Sequence, residues 1–130
     1  MTNRDVIHSD AAPAAAGPYS QGIRAGELVF TAGQIGIDRG SGELVGPDVT
    51  AQAEAALGHI RAILEAAGSG LDRLVKVTVF LADIGDWPVV NEVYVRHVPQ
   101  PYPARSAFAV KDLPKGAQVE IEAVGLVGVG

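Results

Sequence analysis

The 130-residue chain contains no cysteine, one methionine and one tryptophan. A disulfide framework, a thiolate nucleophile and a cysteine-bound metal are therefore excluded, although this absence does not by itself fix the compartment. Aromatic residues make up 5% of the chain, so valine, isoleucine, leucine and alanine must fill the core. Charged residues are also sparse at 19%, with a net charge of −5 and the lysines and arginines scattered, which provides no electrostatic footprint for nucleic acid. No apolar run approaches the ~20 residues of a membrane span, and Met1 to His8 lack the apolar segment of a secretory signal. These absences lead to the expectation of a soluble, cytoplasmic protein with neither nucleic-acid nor membrane partners. His8, His59 and His97 show no metal-ligand spacing, so no metal site is expected. The Gly40-Ser41-Gly42 and Gly68-Ser69-Gly70 pieces match neither phosphate-binding nor dinucleotide patterns, and Ser20, Ser41, Ser69 and Ser106 lie in no nucleophile elbow.

What is present is a 48% hydrophobic composition over a length that suits one domain, 1–130. Val6 to His8 reads as a short strand, and Ile23–Ala25 and Leu28–Gln34 flank a Gly26-Glu27 hairpin connection. Apolar positions Ala53, Ala56, Leu57, Ile60, Ile63, Leu64 and Ala67 recur at helical spacing over about Thr50–Ala67, with Gly68 as the stop. Leu74–Leu81 reads as a central strand, with Val75, Val77, Val79 and Leu81 on one face. A second helix runs from Trp87 to about Val98, capped by Asp86 and ended by Pro99, Pro101 and Pro103. Strands over Ser106–Val110 and Gln118–Val127 complete a β-β-β-α-β-α-β-β order. This order predicts an α+β fold, a mixed sheet with both helices on one face. The other face, carrying groups such as Leu74 and Phe80, is most economically covered by further copies of the chain.

The last third of the chain concentrates the chemistry. Arg105 opens one strand and Glu120 and Glu122 lie on the next, joined by a turn at Pro114-Lys115-Gly116. Were these strands to pair, or to share a pocket rim, a fixed cation would stand beside a fixed base, a combination suited to a small substrate bearing a carboxylate. A guanidinium offers a carboxylate two parallel charge-assisted bonds, and a carboxylate can take a proton from an attacking water. Strand alternation places Glu120 and Glu122 on one face and leaves the choice between them open. Tyr19 admits both a pocket role and simple turn packing after Gly17-Pro18, and Asn91 both a cleft role and helix solvation.

Pro103-Ala104-Arg105-Ser106, Leu113-Pro114-Lys115 and Val119-Glu120-Ile121-Glu122-Ala123 resemble the signature of the RidA (YjgF/YER057c/UK114) family. Gly17-Pro18-Tyr19-Ser20-Gln21-Gly22, Ala32-Gly33-Gln34, Glu65-Ala66-Ala67-Gly68, Val75 to Phe80 and Val90-Asn91 through Tyr94 match in order, extending the likeness over nearly the whole chain. The resemblance implies a chorismate-mutase-like fold, a homotrimer with clefts between subunits, and hydrolysis of reactive 2-imino or 2-enamino acids to 2-oxo acids and ammonia. It implies no cofactor. It assigns the substrate carboxylate to Arg105, the catalytic water to Glu120 rather than Glu122, and pocket positions to Tyr19, Asn91, Ala32 and Ala107. Two residues depart from the best-studied members, which often carry serine at the position of Ala32 and cysteine at that of Ala107. Ala107 retains its backbone donor and acceptor, whereas Ala32 lacks a hydroxyl and so bears on substrate preference. Two competing readings are RNA processing of the endoribonuclease or translation-inhibitor type, and a metabolite-binding or holdase-like trimer without turnover.

Overall fold

A computed structural model of the chain describes residues 3–128. Seven strands, β1 (Arg4–Ile7), β2 (Gly22–Ala25), β3 (Leu28–Thr31), β4 (Gln34–Ile35), β5 (Leu74–Leu81), β6 (Ala104–Ala109) and β7 (Val119–Leu126), form one sheet. Its order is β1-β2-β3-β7-β5-β6, with β4 also on β7; only β5 and β6 run parallel. Helix α1 (Val49–Ala66) lies between β4 and β5, and α2 (Trp87–His97) connects β5 to β6. A helical crossover is what permits β5 and β6 to run parallel.

The first helix follows the sequence reading closely. The Asp48 side chain accepts from the Thr50 N–H, and Gly68 at φ +84° ends the helix while Ser69 N–H donates to the Leu64 carbonyl. This is a Schellman closure, which needs a left-handed residue at the glycine position. Ala53, Ala56, Leu57, Ile60 and Leu64 of α1 and Val90, Val93 and Tyr94 of α2 pack against Val77, Val79, Leu81, Val119, Ile121 and Ala123 of the sheet. Both helices thus share the core on one face. A buried polar pair ties this layer to the strands, as Gln52 Nε2 donates to the Gly46 carbonyl and its Oε1 accepts from Gln118 N–H.

Four expectations require correction. Leu28–Gln34 is not one strand: the β3–β7 and β4–β7 registers differ by one residue, which places a bulge at Ala32-Gly33. Thr31 Oγ1 accepts the Ala123 N–H across this interruption. Val75 does not join the buried face and Leu74 does not join the open one, because a register shift between Leu74 and Lys76 turns Val75 outward, where it is 40% exposed, and packs Leu74 against the core. Asp86 occupies the cap position of α2 without making a side-chain bond; Asp83 instead accepts from Gly85 N–H in the preceding turn. Of the two arrangements left open for the strands of Arg105 and Glu120, direct pairing does not occur, since β5 lies between β6 and β7.

The second sheet face is not covered by the chain's own helices. Phe30 and Phe108 are about half exposed there, with Phe108 meeting Phe80 edge to face at 5.3 Å between ring centroids. Among the described residues, no helix is long and apolar enough to cross a membrane.

Candidate functional site

The residues singled out from sequence fall into two half-sites. The first is built on α2 and the start of β6. Arg105 Nη1 donates to Asn91 Oδ1 at 2.8 Å, and the guanidinium carbon lies 4.5 Å from the ring centroids of both Trp87 and Tyr94. Trp87, Asn91 and Tyr94 are spaced four and three residues apart, so a single face of α2 supplies all three contacts. Asn91, Tyr94, Val95, Tyr102, Pro103 and Arg105 line a cavity of about 280 Å³. Burial raises the Tyr94 hydroxyl above its ordinary pKa, opposed by the positive charge of Arg105.

Ala107 follows on the same strand and packs toward the core. β6 is an edge strand, and Val110 N–H donates to the Leu81 carbonyl. In a parallel ladder each residue directs both backbone groups to the same side, alternating along the strand. The register therefore turns the N–H and C=O of Arg105 and Ala107 away from β5, toward the free edge.

The second half-site gathers around the bulge. Tyr19, Gly33, Ile35, Pro114, Lys115 and Glu120 are among the residues lining a cavity of about 210 Å³. Glu120 is half-buried, and its carboxyl is pushed above its usual pKa, first by that burial and then by the neighbouring Glu122 charge. Its carboxylate lies directly against Gly33, where an added Cβ would overlap Oε2. Lys115 holds a left-handed conformation, φ 59°, in the turn beside it. Ala32 donates its N–H to the Gln21 carbonyl at 2.8 Å and is not among the residues lining this cavity.

The far wall is secured by Gln21, whose side chain is buried. Its Nε2 donates to the Pro13 carbonyl at 2.7 Å and the Ser9 carbonyl at 3.1 Å, while Oε1 accepts from Ser9 N–H at 2.7 Å. Pro13, Ala14 and Ala16, on the segment this clamp holds, belong to the lining.

Within the single chain the two half-sites do not meet. Ser106 and Phe108 contact Lys76 and Phe80 on the open sheet face, so Arg105 points to the opposite, helix-bearing side. Glu120 pairs with Phe80 and faces the open side. Their strands are also separated by β5, a lateral distance of roughly 10 Å.

Trp87, Tyr94, Gly33 and Gln21 were not recognised as site residues from sequence. The helical spacing of Trp87, Asn91 and Tyr94 was a usable signal; nothing local revealed the reach of Gln21. His8 contacts Asp10, His59 contacts the Ile37 carbonyl and His97 contacts Glu54, and no group of potential metal ligands occurs among the described residues.

Residues 9–127 match the family model described as Endoribonuclease L-PSP. The chain is 49% identical to the RutC family protein y4sK of Sinorhizobium fredii, over 91% of this chain and 94% of that one. It is 46% identical to the human 2-iminobutanoate/2-iminopropanoate deaminase, over 96% of this chain and 91% of the other. The crystal structure of E. coli TdcF with bound serine superimposes with a TM-score of 0.89 at 40% identity, covering 95% of this chain and 99% of TdcF. With the family model spanning nearly the full length and relatives of this closeness, the chain belongs to the RidA (YjgF) family.

Proposed function

We propose that this protein is a cofactor-independent imine deaminase that converts 2-imino acids such as 2-iminobutanoate and 2-iminopropanoate, or their enamine tautomers, to 2-oxo acids and ammonia. The reading is supported by relatives named for that activity and by the presence here of Arg105 and Glu120. The observation that carries it is a half-buried carboxyl of raised pKa in a small cavity, in a fold whose other half-site holds a cation in place.

Arg105 receives the substrate carboxylate on its guanidinium, which places C2 of the imine. Glu120 accepts a proton from water as the water oxygen bonds to C2 of the protonated imine and the C=N electron pair moves to nitrogen, giving a carbinolamine. The carboxyl then returns that proton to nitrogen, the C–N bond breaks, and the hydroxyl proton passes to the freed Glu120 carboxylate, and from it to the departing ammonia, as the C2 carbonyl forms. Water supplies the oxygen, and no oxidant or reductant is consumed. A carboxyl with a pKa above the ordinary value is better matched to this exchange, since it holds a proton more firmly between the two steps.

Because Arg105 and Glu120 face opposite sides of one sheet, the mechanism requires them to come from different subunits. The proposed assembly is a homotrimer of chorismate-mutase-like subunits, in which the open face carrying Phe30 and Phe108 packs on its neighbours and joins the half-sites into clefts. RNA processing receives less support: none of the three histidines lines either cavity, and the net charge is −5.

The test is to generate 2-iminobutanoate with an amino-acid oxidase, trap it with semicarbazide, and measure how far the protein suppresses trapping. Arg105→Ala is expected to lower kcat/KM by roughly 100-fold. Equal suppression by the wild type and this variant would remove Arg105 from the mechanism, and full activity in Glu120→Gln would remove the base.

A further inference from the structure

We propose that Trp87, Asn91 and Tyr94 act together as a positioning cradle that determines which edge of the Arg105 guanidinium is offered to the substrate. The inference rests on Arg105 being the carboxylate clamp. An arginine opening an exposed edge strand has a long side chain with many rotamers, and a two-pronged contact requires it to remain in one. Here both rings lie 4.5 Å from its guanidinium carbon, and Asn91 Oδ1 occupies an Nη1 donor at 2.8 Å. The Nε and Nη2 donors on the other edge remain, a parallel pair that matches the two oxygens of a single carboxylate.

The two rings of the cradle are themselves held by the fold. Trp87 opens α2 immediately after a turn closed by Asp83, and Tyr94 is buried in the core. The rings provide negative faces for the cation without neutralising it, which a carboxylate at the same position would do. Position 91 therefore has a chemical requirement, an acceptor that orients the guanidinium but carries no charge to compete with the substrate.

The probe is 2-oxobutanoate, whose binding to the assembled protein is measured by calorimetry alongside imine turnover. Trp87→Leu is expected to raise Kd and KM by about three- to thirty-fold with kcat nearly unchanged, and Trp87→Phe to recover most of the loss. In an Arg105→Gln background the same Trp87→Leu change is expected to have no effect, because the cation it holds is gone. Asn91→Asp provides a second readout should Trp87→Leu fail to fold: its carboxylate would occupy the fork and weaken 2-oxobutanoate binding by at least about tenfold. An unchanged Kd in Trp87→Leu, an equal loss in the Arg105→Gln background, or unimpaired binding by Asn91→Asp would each overturn the cradle. If Arg105→Gln alone leaves Kd unchanged, the clamp reading fails first and the cradle with it.

Discussion

Gly33→Ala separates the fold from the chemistry. The Gly33 φ is not left-handed, so alanine adopts the same backbone without strain. Its Cβ, however, would overlap Glu120 Oε2 and crowd the carboxyl carbon at 2.9 Å. Restoring ordinary van der Waals separation requires the carboxylate to move by roughly 1–1.5 Å. Because the obstruction is the end of a flexible side chain, that movement costs the fold little, and the thermal unfolding midpoint is expected to change by no more than a few degrees. In its proposed role as base, Glu120 would by contrast stand away from the water, and displacement on this scale corresponds to a loss in kcat of about 100-fold. The assay is semicarbazide trapping of 2-iminobutanoate, with 2-oxobutanoate binding as control, since the Arg105 half-site is untouched. Wild-type kcat in Gly33→Ala would refute the claim that Glu120 must lie against a bare glycine. A collapse of folding would refute the claim that the side chain yields.

Further outcomes follow from the same geometry. Glu120 must be ionised to act as a base, so kcat/KM is expected to rise with pH through a value above the ordinary 4.5. Glu122→Gln removes the like charge that helps raise that value, so the acid limb of the profile should move to lower pH; an unmoved limb would show that burial alone sets it. Gln21→Ala leaves the Ser9 N–H and the Ser9 and Pro13 carbonyls without their clamp, and chemical denaturation at fixed protein concentration is expected to register a loss of about 2–3 kcal/mol. A change below about 0.5 kcal/mol would mean that solvent replaces those bonds readily.

Much of the architecture was legible because it rests on local periodicity. The stripe from Ala53 to Ala67 and the stop at Gly68 specify α1, and Val77, Val79 and Leu81 specify the buried face of β5. The errors arose where register or long-range pairing decides. An inserted residue at Ala32-Gly33 leaves composition unchanged yet resets the alternation that places Glu120 against a glycine. Likewise β6 and β7 are close in sequence, but the crossover through α2 brings β6 alongside β5, and β7 takes the other side of β5. Arg105 and Glu120, on strands whose pairing the sequence leaves open, consequently face opposite ways. Asn91 and Arg105 do meet, and Tyr19 and Glu120 line one cavity. Sequence alone could identify these residues without grouping them, because grouping depends on which sheet face each strand presents.

The central claim is that a complete site takes its cation from one subunit and its base from another. Its most direct test mixes two inactive proteins, Arg105→Ala and Glu120→Gln, in equal amounts after unfolding and refolding together. If the site spans subunits, random assembly leaves about one quarter of the clefts with both groups intact, and about a quarter of wild-type activity should return. If each subunit carries its own complete site, the mixture will remain as inactive as its components.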